Sequence, residues 1–236
     1  MDIGLFSPGE MGAAVGAQLV AAGHRVAWAS AGRGEATAAR AAAAGLLDLR
    51  RAGEVAARSD LVLSVVPPQF ALETATLVAA TGFGGRYVDA NAIAPETARR
   101  VAAAVARGGA SFVDGGIVGS PPAGGTRTRL YLSGEEAAAV AELFSSTAVQ
   151  AVVLPGGPGA ASALKLAYAA WTKGSAALLL GAHELAERSG VAEALEAEWK
   201  DSQAGLPDRL QRALASRAAK GWRWTPEMRE IAAAMR

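Results

Sequence analysis

The chain has 236 residues, 51% of them hydrophobic, and a formal net charge of +1. That is apolar material for one sizeable core and a smaller module, while the near-neutral balance argues against nucleic-acid and membrane-surface partners. The absence of cysteine excludes disulfides, thiolate metal sites and cysteine nucleophiles, and two histidines, His24 and His183, are too few for a histidine-rich metal site.

The stretch from Asp2 to Gly12, DIGLFSPGEMG, reads as an apolar strand, a tight turn and a helix start. A dinucleotide-binding fold places its phosphate turn at such a point, and the spacing G-x-G-x-x-G is met as Ser7-Pro8-Gly9-Glu10-Met11-Gly12 with the first glycine missing. Gly9 stands where the backbone must let a pyrophosphate approach, and Gly12 where the helix must pack closely on its strand. The helix N-terminus offers N–H groups to the anion. Ser7, Pro8, Gly9, Glu10 and Met11 are therefore candidate cofactor ligands, with an ordinary strand–turn–helix as the competing reading.

Further β-rich runs at 25–30, 61–66, 86–91, 111–118, 129–133 and 150–155 predict strands. Alanine-rich stretches at 11–22, 35–44, 71–80, 95–107 and 135–144 predict the helices among them. Continuously apolar strands are expected where helices cover both faces of a sheet, and the alternation predicts an α/β fold with a mostly parallel sheet. The runs 111–118 and 129–133, joined by GSPPAGGTRT, also fit an antiparallel extension. After LPGGPGAA, at 154–161, the chain reads as almost wholly helical, with helices at 162–189, 193–200, 207–220 and 226–235. The most apolar helical stretch, Ser175 to Gly181, is too short to span a bilayer, and no basic-then-apolar leader precedes the first strand, so the expected compartment is the cytoplasm. The expected fold class is α/β, a Rossmann-like doubly wound sheet over residues 1–155, followed by a smaller all-α domain over residues 156–236.

Candidate site residues fall at the predicted strand ends. The second strand ends at Ser30, where an NAD-specific fold places an acidic residue. No Asp or Glu occurs from Ala13 through Gly34, whereas Ser30 and Arg33 could attract a 2′-phosphate; a solvated loop charge is the alternative for Arg33. Val66, Pro67, Pro68 and Asn91, at or just beyond the next two strand ends, are placed to line a cofactor cleft, although the prolines could simply stop the strand. The glycine-rich run from Gly115 to Gly125 permits close backbone approach to a ligand, with a plain flexible connection as its competitor. Lys165 lies in the first turns of the long helix on the same face as Tyr168, Thr172, Ala176 and Leu179, and a lysine on so apolar a face needs a partner or a task. His183 shares that face but lies roughly 27 Å along the axis, so it is expected to be structural. Lys173 points elsewhere and is expected to be solvated.

Taken in order, DIGLFSPGEMG, VVPP, DANAIAP, FVDGGIVGSPPAGGTRTRLYLSG and GPGAASALKLAYAAWTKG resemble the signature regions of the β-hydroxyacid dehydrogenase superfamily, which includes 6-phosphogluconate dehydrogenase and 3-hydroxyisobutyrate dehydrogenase. The final stretch, EWKDSQAGLPDRL to GWRWTPEMREIA, is similar to a short helical domain behind such cofactor domains in a bacterial subgroup. The resemblance implies NAD(P)-dependent hydride transfer on a small 3-hydroxyacid or related carbonyl. Ser30 and Arg33 favour NADP, and the helical part is implied to serve substrate binding and homodimer formation. By position, Lys165 matches the catalytic lysine, Gly119 and Ser120 match the substrate loop, and Asn91 matches a small polar residue near the nicotinamide. Three residues depart from the pattern: Ser7 replaces the first turn glycine, Val118 stands where many members have a substrate-binding serine, and Ala169 stands where an asparagine is usual. The last two remove polar substrate contacts, and Tyr168 and Trp171 would suit a bulkier or less polar substrate. An imine reductase is the alternative enzyme, against which the retained Lys165 argues. A non-catalytic NADP-binding or interaction protein is the alternative of another class.

Overall fold

The computed structural model describes residues 1–123, 127–221 and 224–235. The chain divides into two compact units, Met1–Leu166 and Ala167–Met235. The first unit runs β1 (Asp2–Phe6), α1 (Glu10–Ala21), β2 (Arg25–Trp28), α2 (Glu35–Ala43), β3 (Leu47–Asp48), α3 (Ala52–Ala57), β4 (Leu61–Ser64), α4 (Ala71–Ala79), β5 (Arg86–Asp89), α5 (Pro95–Arg107), β6 (Ser111–Val118), β7 (Thr128–Ser133), α6 (Ala137–Glu142) and β8 (Val149–Val153). These strands form one sheet in the order β3-β2-β1-β4-β5-β6-β7-β8. Every pair is parallel except β6 with β7, so the antiparallel option holds for that pair, and Asp114 faces Ser133 in its register.

Side chains alternate across the strands, so each face of the sheet builds its own core. Ile3, Leu5, Leu63, Val88 and Val113 pack on one side with Val15 and Leu19 of α1 and Val140 of α6. Phe6, Val62 and Tyr87 pack on the other with Val55, Val78, Val101 and Val105 of α3, α4 and α5. Burial on both faces explains why LVLS of β4 is apolar along its length, with the single hydroxyl of Ser64 as its polar end.

Two elements between residues 45 and 60 have no counterpart in the sequence reading. β3 is two exposed residues at the sheet edge, too short for an apolar run, and α3 has six residues, less than two turns of periodicity. A single 3-10 turn, Pro68–Phe70, also precedes α4.

The last strand leads into α7 (Ala160–Arg188), whose opening turns belong to the first unit. The second unit contains the rest of α7 with α8 (Ala192–Ser202), α9 (Leu206–Lys220) and α10 (Trp224–Ala234). Its core is Leu179, Leu180, Trp199, Leu210 and Ala213, joined by Leu195, Leu206 and Trp224. Among the described residues no helix is long and apolar enough to cross a membrane.

Candidate functional site

The strand order reverses between β1 and β4, and ligands of open α/β sheets bind beyond the carboxyl ends of strands at such a point. The chain leaves β1 through Ser7, whose φ of +69° lies in the left-handed region. A glycine would adopt it freely; serine bears a cost on the order of 1–2 kcal/mol. Two residues on, the Gly9 N–H donates to the Ser7 carbonyl at 2.8 Å, which closes the turn. Gly12 is required sterically, because a Cβ there would sit 2.5 Å from the Ser7 carbonyl oxygen. Gly9 is different: a Cβ would meet nothing within 4 Å, so open space lies beside it. No side chain caps α1 at Gly9, which leaves the first-turn N–H groups of Met11 and Gly12 for an anion. Arg40 of α2 reaches the Pro8 carbonyl at 3.5 Å. This turn therefore has the room and the donors that a pyrophosphate needs, and the residues fit a dinucleotide cofactor.

Two adjoining cavities continue from the turn. One of about 250 Å³ is lined by Ser7, Ala31, Arg33, Arg51 and Val55 among others. The second, of about 350 Å³, shares Phe6, Ser7, Arg33 and Ala52 with it and adds Val66, Pro67 and Phe70. Arg33, Val66 and Pro67 are thus brought together with Ser7. Arg51, which sequence reasoning passed over, supplies a second guanidinium to the first cavity. Its only signal in the sequence was a pair of arginines after an unassigned segment.

Ser30 requires a correction. The absence of acidic residues from 13 to 34 implied a carboxylate-free strand end, yet β3 pairs with β2 and carries Asp48 alongside. Asp48 Oδ1 accepts the Ser30 N–H at 3.1 Å and the Arg50 N–H at 2.7 Å. A hydrogen bond from the Ser30 hydroxyl, then those N–H groups and the Arg50 charge, hold the Asp48 carboxyl below its ordinary value. A carboxylate therefore stands beside Ser30 at this strand end, and the cationic lining of the adjoining cavities comes from Arg33 and Arg51.

Asn91 also sits differently from the expectation that it lines the cleft. It is 3% exposed, and its side chain is spent internally. Its Oδ1 accepts the Val66 N–H at 2.6 Å, and its Nδ2 donates to Ser64 Oγ at 3.1 Å and Asp89 Oδ2 at 2.8 Å. Asn91 thereby ties the end of β4 to the end of β5 and sets the Val66–Pro67 turn. Burial pushes the Asp89 carboxyl up to about 7, helped by the nearby Asp114 charge and opposed by the bonds from Asn91.

Asp89 thus holds its proton in the folded chain at pH values where the unfolded chain, with an ordinary carboxyl near 4, has lost it. The stability that Asp89 contributes is then full below about pH 4 and declines as pH rises toward 7, by at most about 1.4 kcal/mol per pH unit. The thermal midpoint is expected to fall between pH 5 and 7, and Asp89→Asn is expected to flatten that slope. An unchanged slope in the variant would assign it to other groups.

At the end of β6, Gly119 has φ +116°, and a Cβ there would lie 2.5 Å from the Arg127 carbonyl oxygen. Ser120 is exposed, and its carbonyl accepts the Thr128 hydroxyl at 2.6 Å. Val118 is buried at 2% exposure, and Gly124 and Gly125 lie outside the described residues. Lys165 packs on this strand: a Cβ on Gly116 would come within 2.8 Å of the Lys165 Cβ and 3.0 Å of the Ala161 carbonyl oxygen. Burial lowers the Lys165 ammonium pKa from its ordinary value. Among the described residues no carboxylate pairs with it.

The opening of α7 is held by a group that sequence reasoning missed. Asp114 of β6, fully buried, accepts the N–H groups of Gly159 at 2.9 Å and Ser162 at 3.0 Å and the Ser162 hydroxyl at 2.6 Å. The Ser133 hydroxyl lies 3.2 Å from the same carboxylate and accepts the Ala161 N–H at 3.1 Å. A lone acidic residue inside an apolar strand was the available signal.

In the second unit Tyr168 and Trp171 are exposed, at 46% and 70%, and Ala169 is buried. Lys173 is not solvated as expected: it pairs with Glu227 of α10. His183 is structural as expected, being nearly buried and hydrogen-bonded through Nε2 to Glu196 at 2.8 Å. Among the described residues no cluster of His, Asp and Glu could hold a metal ion.

The family profile described as the NAD binding domain of 6-phosphogluconate dehydrogenase matches residues 2–156. The chain belongs to this family. Residues 186–236 match a second profile, a domain of unknown function (DUF1932). No curated protein matches the chain. Among solved structures, it is similar to a conserved protein of unknown function described as structurally similar to 3-hydroxyacid dehydrogenases, at 28% identity over 100% of this chain and 89% of that one, with a TM-score of 0.73. It is also similar to the 3-hydroxyisobutyrate dehydrogenase of Mycobacterium tuberculosis, solved with L-serine, at 25% identity over 86% of this chain and 71% of that one, with a TM-score of 0.63. A reductive aminase of Aspergillus terreus, solved with NADPH and ethyl levulinate, shares the fold at 24% identity over 91% of this chain and 77% of that one, with a TM-score of 0.66. As a member of the 6-phosphogluconate dehydrogenase-like family, the chain is an oxidoreductase with a nicotinamide cofactor.

Proposed function

We propose that this protein is an NADP-dependent dehydrogenase or reductase acting on a small 3-hydroxyacid or related carbonyl, with Lys165 as the acid/base. The observation that carries the reading is Lys165 itself, a partly buried ammonium seated on Gly116, without a carboxylate partner among the described residues and with its pKa lowered by burial. The bound nicotinamide would supply or take the hydride. The turn from Ser7 to Met11 holds the pyrophosphate, and Val66 and Pro67 wall the cleft. Arg33 and Arg51 attract the 2′-phosphate. Lys165 gives a proton to the substrate oxygen on carbonyl reduction and draws it off on alcohol oxidation. Gly119 and Ser120 offer backbone and hydroxyl groups to the substrate.

Imine reduction is the second reading. Val118 and Ala169, both buried and apolar, stand where the superfamily pattern has polar substrate contacts, and the fold is shared with the reductive aminase. A panel of 3-hydroxyacids, ketoacids and cyclic imines, followed at the NADPH absorbance band, separates the readings. Turnover of imines alone would replace the first reading by the second. NADPH binding with no turnover on any class would leave a non-catalytic binding protein.

We also propose that the protein works as a homodimer. Trp171, Leu178 and Leu185 recur every seven residues along α7 and are 70%, 76% and 67% exposed, an apolar stripe of coiled-coil spacing. Light scattering that finds only monomer at every concentration would remove this part.

A further inference from the structure

We infer that Asp114 is a positioning residue: it clasps the first turn of α7 and thereby sets the rotation and depth at which Lys165 meets β6. The inference rests on the reading of Lys165 as the acid/base and extends it to a residue on the strand that the lysine packs against.

A buried carboxylate is costly unless its oxygens are satisfied. Here one oxygen takes the Gly159 and Ser162 N–H groups and the other the Ser162 hydroxyl, with the Ser133 hydroxyl beside them. The positive end of the helix dipole faces the same charge. No arginine or lysine among the described residues bonds to Asp114, so the helix start itself is its counter-charge.

Apolar packing of α7 would resist separation from the sheet but would tolerate sliding and rotation. Directional bonds to the Gly159 and Ser162 N–H groups do not. Lys165 follows Ser162 by three residues and so lies on the same face one turn further on. Asp114 and Gly116 are two residues apart on β6, on one face of the strand. The clasp and the glycine seat under Lys165 are therefore built from the same strand face at one-turn spacing on the helix. A slip of one residue would rotate Lys165 by about 100° and carry it about 1.5 Å along the axis, away from that seat.

The chain has four lysines, Lys165, Lys173, Lys200 and Lys220, so ¹³C-dimethylation of the intact protein gives a simple NMR titration, with Lys165 assigned through Lys165→Arg. Lys165 is expected to titrate below its neighbours in the parent protein. In Asp114→Asn, whose amide presents a donor to N–H groups, its titration is expected to move up toward the ordinary lysine value. The same variant is expected to lose roughly ten- to hundredfold in kcat with its KM for NADPH nearly unchanged. Ser162→Ala, which removes one bond and keeps the carboxylate, should move both readouts the same way by less. If Asp114→Asn folds and the Lys165 titration stays at its parent position, the inference is overturned. Should that variant not fold, an unmoved Lys165 titration in Ser162→Ala overturns it equally. A shifted titration together with full activity in Lys165→Met would preserve the clasp and defeat the acid/base reading instead.

Discussion

Lys165→Met is expected to lower kcat by roughly 10²–10⁴-fold, the range contributed by a positioned acid–base group, while NADPH still binds. Methionine keeps much of the side chain's length and removes its proton. Neither histidine is placed to substitute. His183 is committed to Glu196 in the second unit, and His24 lies between α1 and β2, at the end of the sheet opposite the strand ends that form the cleft. Asp114 is the acidic group held close to the opening of α7, and its oxygens are taken by that helix and its neighbours. Burial without a paired carboxylate lowers the ammonium pKa, which brings the lysine toward the pH at which it can both hold and release a proton. Single-turnover measurements with saturating cofactor test this directly. A variant that folds, binds NADPH and turns over near the parent rate would show that the lysine is structural.

Arg33→Ala is expected to weaken NADPH binding by roughly ten- to hundredfold, the worth of about 1.5–3 kcal/mol for a charge-assisted hydrogen bond, and to leave NADH binding nearly untouched. Arg33 lines both cavities beyond β1, and Arg51 joins it in the smaller one. Asp48, bonded to the Ser30 N–H, opposes them. Asp48→Asn should therefore tighten NADPH binding and leave NADH binding nearly unchanged, and Arg51→Ala should weaken NADPH binding less than Arg33→Ala. Titration of the parent and these variants with each cofactor separates the outcomes. Equal losses for both cofactors in Arg33→Ala would mean that the arginine supports the turn and not the phosphate. A loss confined to NADH in Asp48→Asn would make Asp48 a ribose ligand and the protein NAD-dependent.

Much of the architecture was legible because it depends on local order. Alternating apolar runs and alanine-rich stretches carry the periods of strands and helices, and the change to continuous helix after residue 155 is compositional. The turn after β1 was readable even with serine in the first glycine position, since Gly12 answers to a local clash with the Ser7 carbonyl. Lys165 stood out because a lysine on an apolar helix face is costly wherever the helix packs. What escaped was set by neighbours distant in sequence. Asp48 meets Ser30 only because a two-residue edge strand pairs with β2, and so short a strand leaves no pattern. Asn91 had the right position for a cleft residue, but three-dimensional packing turned its amide inward to Asp89, Ser64 and Val66. Lys173 found Glu227 across a helix pair whose register no periodicity encodes. The clasp at α7 needs β6, β7 and the helix start at one point, and hydrogen bonds of that kind are defined by tertiary approach. Sequence by itself determined the class of fold, the glycine turn after β1 and the one lysine worth testing. Tertiary structure decided which polar side chains face a ligand and which serve the scaffold, because that choice depends on which donors and acceptors the folded backbone brings within about 3 Å of each other.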